Sequence, residues 1–348
     1  MEAFPTTDSF MYQTMHRQPD DVRRLVTDGW GDAREAADII RGAARIWVTG
    51  IGTSYHAALV GGWLLRATGR DARSVTSFDF ATYPDQFPLR PTDAVIIQAH
   101  TGVKSYSALA LQRAVKAGVP VISIGSESAE HPGSQKILRT VEREKSAAYT
   151  TSHLCAMTRL AQLAVELGVG RLRPALEAVP EQLAEILSRE GEIEPVARES
   201  ADRRIYAVGA GPNEATALEF VIKAREAALH LVDGLGLEQF FHGPIVAVDK
   251  GDLAVVVSVS GASENRTASV ARALDGVGCD VWSVGDIPAL PEGRHFSLPP
   301  TDELISPLLS VVPIQLFAYF LAATKGTHPD RFRREDPVYA DAFGQLTL

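Results

Sequence analysis

The chain has 348 residues, 45% of them apolar, and a formal net charge of −9, which is enough for two ordinary cores and gives no electrostatic ground for holding nucleic acid or anionic lipid. Cys155 and Cys279 are the only cysteines and lack metal-ligand spacing, so unpaired thiols in a reducing compartment are expected. The start, MEAFPTTDSF, has no basic flank or apolar core, and no apolar run reaches about 18 uninterrupted residues, so no membrane association and a cytoplasmic location are expected.

Residues 1–45 read as a helical lead-in. Val22, Leu25 and Val26, then Ala37, Ile39 and Ile40, recur at helical spacing, and Gln18-Pro19 marks a helix start. From 46 to 170 the pattern becomes strand, loop, helix: RIWVTGIGTS leads into HAALVGGWLLRATG, DAVIIQAHTG precedes SALALQRAVKAG, and VPVISIGSES supplies another buried strand. Such alternation predicts a parallel sheet with helices on both faces. A charged helical linker is expected over 171–200. The pattern then restarts over 201–325, where RRIYAVGAGP restates RIWVTGIGTS, LAVVVSVSGASENRTASVARALDGVG restates the strand and helix from 93, and CDVWSVGD restates VPVISIGS. The fold class expected is α/β, as two tandem doubly wound parallel-sheet domains of flavodoxin-like type. SPLLSVVPIQLFAYFLAATKG reads as a buried helix, and 326–348 as a polar tail.

In open parallel sheets ligands sit beyond the carboxyl ends of the strands, so the loops GIGTSYH, QAHTGVKS and GAGPNE are the candidates. Gly52, Thr53 and Ser54, with Gly50, offer backbone N–H groups and two hydroxyls at a helix start, where an anion such as phosphate is stabilised. A plain helix capped by Thr or Ser is the competing reading. His100, Thr101, Lys104 and Ser105 form a second such loop with a cation added, and two loops on neighbouring strands favour a phosphate cradle. Neither loop is a dinucleotide fingerprint or a P-loop, and GxSxG, HExxH and zinc spacings are absent. No cofactor and no metal are expected.

In EFVIKAREAALHLVDGLGLEQFFHGP, Glu219, Lys223 and Glu226 fall on one helix face, with Lys223 and Glu226 close enough to pair. A solvated salt-bridged face is the ordinary reading. The apolar residues around the trio argue against it, since a buried pair is costly unless it serves a purpose. Gly234 and Gly236 are read as breaking the helix so that His242 can leave it, although a core histidine satisfied by a carbonyl is the commoner setting for FFHGP.

These segments together resemble the sugar isomerase (SIS) superfamily, in layout the isomerase half of the glutamine-fructose-6-phosphate aminotransferases, over residues 11–331. GIGTSYHAALV resembles the family's phosphate loop, EREKSAAYTTSHLCAMTRLA its E-x-x-V-A-S-T-K segment, ALEFVIKAREAALHLVDGLGLEQFFHGP its ALEGALKLKE and KHGP motifs, and PIQLFAYFLAATKGTHPDRFR its closing helix. The resemblance implies that Glu226 moves a proton between C1 and C2 of an open-chain sugar. It also implies that His242 assists ring opening from the neighbouring subunit of a homodimer with a shared active site, and that Lys223 lies near the sugar's O1 and C2. Thr53, Ser54 and Thr101 fall on its phosphate-binding hydroxyls, and Thr150 joins the substrate-binding set. Three departures accompany the match. There is no glutaminase domain in the sequence, no lysine follows Lys325 where the family places an imine-forming one near Pro337, and Ala99–Lys104 replaces S-x-S-G-E-[ST]. The expected partner is therefore a sugar phosphate. The expected activity is amine release coupled to ketose/aldose isomerisation of a 6-phosphorylated amino sugar or sugar-amine adduct, with a plain isomerase or a sugar-phosphate-binding regulatory protein as alternatives.

Overall fold

The computed structural model describes residues 8–345. In chain order its first half contains α1 (Phe10–Asp28), α2 (Trp30–Ile40), β1 (Arg45–Gly50), α3 (Thr53–Arg66), β2 (Asp71–Thr76), α4 (Ser77–Thr82), β3 (Asp93–Gln98), α5 (Ser105–Lys116), β4 (Val121–Gly125), β5 (Lys136–Arg139) and α6 (Thr151–Glu166). The second half contains α7 (Arg173–Ser188), α8 (Glu194–Glu199), β6 (Ile205–Gly209), α9 (Glu214–Ala228), β7 (Val232–Gly236), α10 (Leu237–Phe241), β8 (Leu253–Val257), α11 (Glu264–Gly276), β9 (Asp280–Gly285), β10 (Arg294–Ser297), α12 (Pro307–Lys325) and α13 (Pro337–Gly344). Two compact units emerge. One joins 20–177 with the tail from 331, and the other joins the residues up to 19 with 178–330.

The first unit holds a five-stranded sheet ordered β2-β1-β3-β4-β5, and the second holds one ordered β10-β9-β8-β6-β7, with every strand pair parallel. Read from the opposite edge, the second order is the first. Continuous apolar runs build the middle of each sheet: β1, β3 and β4 are buried throughout, as are β6 and β8, which is what a strand covered on both faces requires. The edge strands β2, β7 and β10 alternate burial with exposure and carry charges or glycines; that mixed composition hid them from sequence reading.

The duplication is visible in single residues. Arg45 Nε donates to Asp93 Oδ1 at 3.0 Å across the starts of β1 and β3, and Arg204 Nε donates to Asp252 Oδ1 at 3.0 Å just before β6 and β8; both residues of the pair are shifted by the same 159 positions. The same shift relates Gly52 to Gly211, each in the left-handed region at φ 57° and 56°, where glycine carries no steric cost. It also relates Gly50 to Gly209. A Cβ at these two positions would fall 2.4 Å and 2.0 Å from backbone four residues on, so the strand ends are glycine to let the following helix start close by.

Two local expectations are corrected. Pro19 does not start a helix but lies inside α1. The start is nine residues earlier, where the Ser9 hydroxyl accepts the Tyr12 N–H at 3.1 Å as a side-chain cap. Likewise Gly234 and Gly236 are not a helix break but part of the edge strand β7, because α9 has already ended at Leu229, left-handed at φ 50°. Helix α12 is long and apolar enough to cross a membrane, but most of it is buried in the second unit, where Phe317 meets Phe220 of α9 edge-on at 5.2 Å.

Candidate functional site

In the first sheet the chain leaves β1 toward β2 on one side and reaches β3 on the other, so their carboxyl ends frame the crevice in which open α/β sheets take ligands. A small cavity of about 20 Å³ lies there, lined by Thr53, Ser54 and Ala57 of α3, Gln98, Ala99 and His100 after β3, and Tyr149, Ser152 and His153 at the start of α6. No side-chain hydroxyl caps α3: Gly52 occupies the cap position, and Thr53 and Ser54 are among the residues that line the cavity.

His100 Nε2 accepts the Glu144 N–H at 3.3 Å, and the Tyr149 and His100 rings meet in a T-shaped contact with centroids 5.3 Å apart. Burial pushes the His100 pKa down to about 4, with Arg143 adding to the effect, so the ring is neutral at neutral pH. The buried Glu144 carboxylate accepts the Ser152 N–H at 2.6 Å and the Thr150 N–H at 3.1 Å, holding the first turn of α6 by a charged cap. Thr150 is itself buried, and its hydroxyl also reaches Glu144, at 3.4 Å. Of the first-unit residues singled out from the sequence, Thr53, Ser54 and His100 line the cavity, whereas Gly52, Thr101, Lys104, Ser105 and Thr150 do not. Lys104 is exposed and its N–H closes a turn onto Ser107 Oγ at 2.9 Å.

The second unit contains the ion cluster. Glu219 and Lys223 are completely buried on α9. Lys223 Nζ donates to Glu226 Oε2 at 2.6 Å and lies 3.5 Å from Glu219 Oε1, while the Glu226 side chain keeps 28% of its surface. Helix α9 is fixed for this by polar contacts with α12: Asn213 Nδ2 donates to Ser306 Oγ at 2.7 Å, and Ser310 Oγ donates to Asn213 Oδ1 at 2.7 Å. His242 is not a core histidine. It follows α10 with its side chain 70% exposed, 3.2 Å from Glu238 Oε2, and the next residue, Gly243, turns at φ 135°. A separate cavity of about 260 Å³ opens at the carboxyl ends of β6 and β7, lined by Gly209, Gly211, Glu214, Gly236, Glu238 and Arg266. Among the described residues no cluster of His, Cys, Asp and Glu is arranged to hold a metal ion.

Residues 39–166 match the SIS domain family. The chain resembles that family over this stretch. It is 28% identical over 338 residues to the isomerizing glutamine–fructose-6-phosphate aminotransferase of Pyrococcus horikoshii, with 94% of this chain and 56% of that protein covered. The chain thus spans a little over half the length of the curated relatives it matches. Among solved structures, tagatose-6-phosphate ketose/aldose isomerase from Escherichia coli superposes with a TM-score of 0.80 at 20% identity, covering 95% of this chain and 97% of that one. Glucosamine-6-phosphate deaminase from Thermotoga maritima gives a TM-score of 0.74 at 20% identity, covering 93% and 97%. These likenesses establish the fold, two parallel five-stranded sheets each flanked by helices. Gln98 opens the candidate loop QAHTGVKS, and Tyr149, Ser152 and His153 lie in the segment EREKSAAYTTSHLCAMTRLA, but none of the four was singled out by itself.

Proposed function

We propose that this SIS-domain chain is a phosphosugar-processing enzyme that interconverts ketose and aldose by moving a proton between adjacent carbons, coupled to release of an amine from a 6-phosphorylated amino sugar or sugar-amine adduct. The observation that carries this reading is the α9 cluster: a carboxylate with part of its surface accessible, held by an ammonium group that is itself buried. Glu226 would take the proton from C2 (or C1) of the open-chain sugar, giving an enediol, or an enolamine where nitrogen is attached. The same carboxyl would return it to the neighbouring carbon, a shuttle that needs one base reaching both atoms; where nitrogen is attached this leaves an imine, whose C–N bond water would hydrolyse to the ketose carbonyl and the free amine. Lys223 would act by orienting Glu226, and Thr53 and Ser54 by holding the phosphate. His242 would serve ring opening, and its exposure suits a role toward a second copy of the chain.

Support for amine release comes from the deaminase among the fold relatives and from the aminotransferase name of the curated one. A plain ketose/aldose phosphate isomerase is the second reading, supported by the tagatose-6-phosphate isomerase likeness. The test is incubation with glucosamine 6-phosphate and fructose 6-phosphate in deuterated water, following deuterium at C1 and C2 together with free ammonia. Glu226→Gln is expected to lower exchange on the order of a thousandfold and to leave binding within a few-fold. Exchange without ammonia selects the plain isomerase; binding without exchange in the unaltered protein makes the chain a sugar-phosphate sensor; unchanged turnover in Glu226→Gln removes that residue from the chemistry.

A further inference from the structure

The first cavity contains a polar side chain that none of these roles uses. Gln98 closes β3 at 2% exposure, lines the cavity beside Thr53 and Ser54, and has no hydrogen-bond partner in the protein for either Nε2 or Oε1, both of them buried. Unmet buried amides are rare because nothing offsets the lost hydration. The fold does not demand one here. The 159-position shift that superposes the two Arg–Asp pairs carries Gln98 onto Val257, the buried last residue of β8. His100 maps in the same way onto Val259, also buried. One copy of the strand end thus carries valine at both positions, with the buried Ser258 between them, while the other places a carboxamide and an imidazole at a cavity.

The geometry points to Gln98 as the residue that reads a hydroxyl group of the bound sugar. A carboxamide has two N–H donors at one end and an acceptor oxygen at the other. A phosphate oxygen at neutral pH only accepts, so it would satisfy Nε2 and leave Oε1 unmet. A hydroxyl both donates and accepts and fits either end. Beside it, the neutral His100 turns its Nε2 lone pair to the Glu144 N–H, which leaves its proton on an Nδ1 that also lacks a protein partner. The cavity, about 20 Å³, is too small for a sugar ring and suits one arm of a ligand. This inference rests on the proposed sugar phosphate but concerns its hydroxyls, not its phosphate.

Isothermal titration of the full chain and of Gln98→Leu with fructose 6-phosphate, glucosamine 6-phosphate, fructose and inorganic phosphate tests it. The expected result is a loss of affinity for the two hexose phosphates on the order of tenfold to a hundredfold in Gln98→Leu, with inorganic phosphate changed less than about twofold. Equal affinity of both proteins for the hexose phosphates, or an equal loss for phosphate alone, overturns the assignment. Should the unaltered protein bind fructose and not the phosphate esters, with Gln98→Leu weakened, the role of Gln98 stands and the phosphosugar reading falls; binding of none of the four overturns both. Gln98→Met, which keeps the length and removes the donor and acceptor without adding a charge, is expected to show the same loss for the hexose phosphates with inorganic phosphate little changed, and it carries the test if the leucine variant does not fold.

Discussion

The carboxyl ends of the two sheets share strand order, the paired arginine and aspartate, and the left-handed glycine after the first strand, yet they carry different chemistry. At the first, Thr53, Ser54, Gln98 and His100 surround a small cavity. At the second, the matching positions are Pro212, Asn213, Val257 and Val259, all buried in the fold, and the nearby cavity is lined by Glu214, Glu238 and Arg266. The helices diverge in the opposite sense. Where α9 buries Glu219 and Lys223 and half-covers Glu226, the same shift gives Val60, Leu64 and Ala67 at α3. A duplicated scaffold therefore fixes where a ligand can approach, while each copy carries a different part of the polar equipment: hydrogen-bonding loops in one, a buried ion cluster in the other.

The most damaging way to disturb this division is to remove Lys223. With its ammonium gone, the buried Glu219 carboxylate loses the cation 3.5 Å away, and Lys223→Met is expected to cost about 3–5 kcal/mol of unfolding free energy. Adding Glu219→Gln should recover much of it, because replacing both partners of a buried pair removes the uncompensated charge. Leu64→Met at the matching place on α3 is a volume-conserving apolar exchange and should cost less than about 1.5 kcal/mol. Urea denaturation of the four proteins measures this. If Lys223→Met unfolds no more easily than Leu64→Met, the α9 cluster is not the strained element described.

A second, smaller effect should separate the units by pH. His100 and His131 of the first unit are both held down to about 4, chiefly by burial, against an ordinary value of 6.5. The folded rings are neutral at pH 5, whereas the unfolded chain takes up protons from about pH 6.5 downward. Stability from this source is complete above pH 6.5 and is lost progressively as the pH falls toward 4, by ~2 kcal/mol per ring between pH 7 and pH 5. His131→Asn should reduce that pH dependence, and urea midpoints at the two pH values read it; an unchanged dependence rejects His131 as a source. Hydrogen exchange at pH 5 should show protection lost in the first sheet before the second. His230 and His295 of the second unit are also lowered by burial, which sets the size of the contrast that exchange must resolve.

Much of this architecture was legible in the order of residues, and the reason is specific. Strands such as β3 and β8 are short, wholly buried and β-branched, and each is followed by a helix with an apolar stripe, so the α/β alternation and its repetition stand out. The spacing of Lys223 and Glu226 announced their contact, since residues three apart on a helix are neighbours. Edge strands were invisible because half their residues meet water. Pro19 misled because proline usually stands at a helix start, and here it is tolerated in the interior of a long helix whose true cap is Ser9. Gln98 escaped notice because a single polar residue at the end of an apolar run says nothing about its partners, and only coordinates reveal that it lacks them.

The smallest expected effect concerns the loops that distinguish the two sheet ends. Ser54 of α3 lines the first cavity, whereas its counterpart Asn213 spends its carboxamide on Ser306 and Ser310. Ser54→Ala removes one hydroxyl donor, and a hydrogen bond to a charged acceptor such as phosphate is worth about 1.5 kcal/mol at the lower end, so affinity for inorganic phosphate should fall by roughly tenfold. Glu214→Gln, at the mouth of the second cavity, should leave that affinity within about twofold, because its carboxylate repels an anion and no phosphate is expected beside it. Titration of phosphate into both variants decides the matter. A larger change from Glu214→Gln than from Ser54→Ala would move the anion to the second sheet and reverse the assignment of loops and cluster, since the hydroxyls of α3 would then have no ligand to explain them.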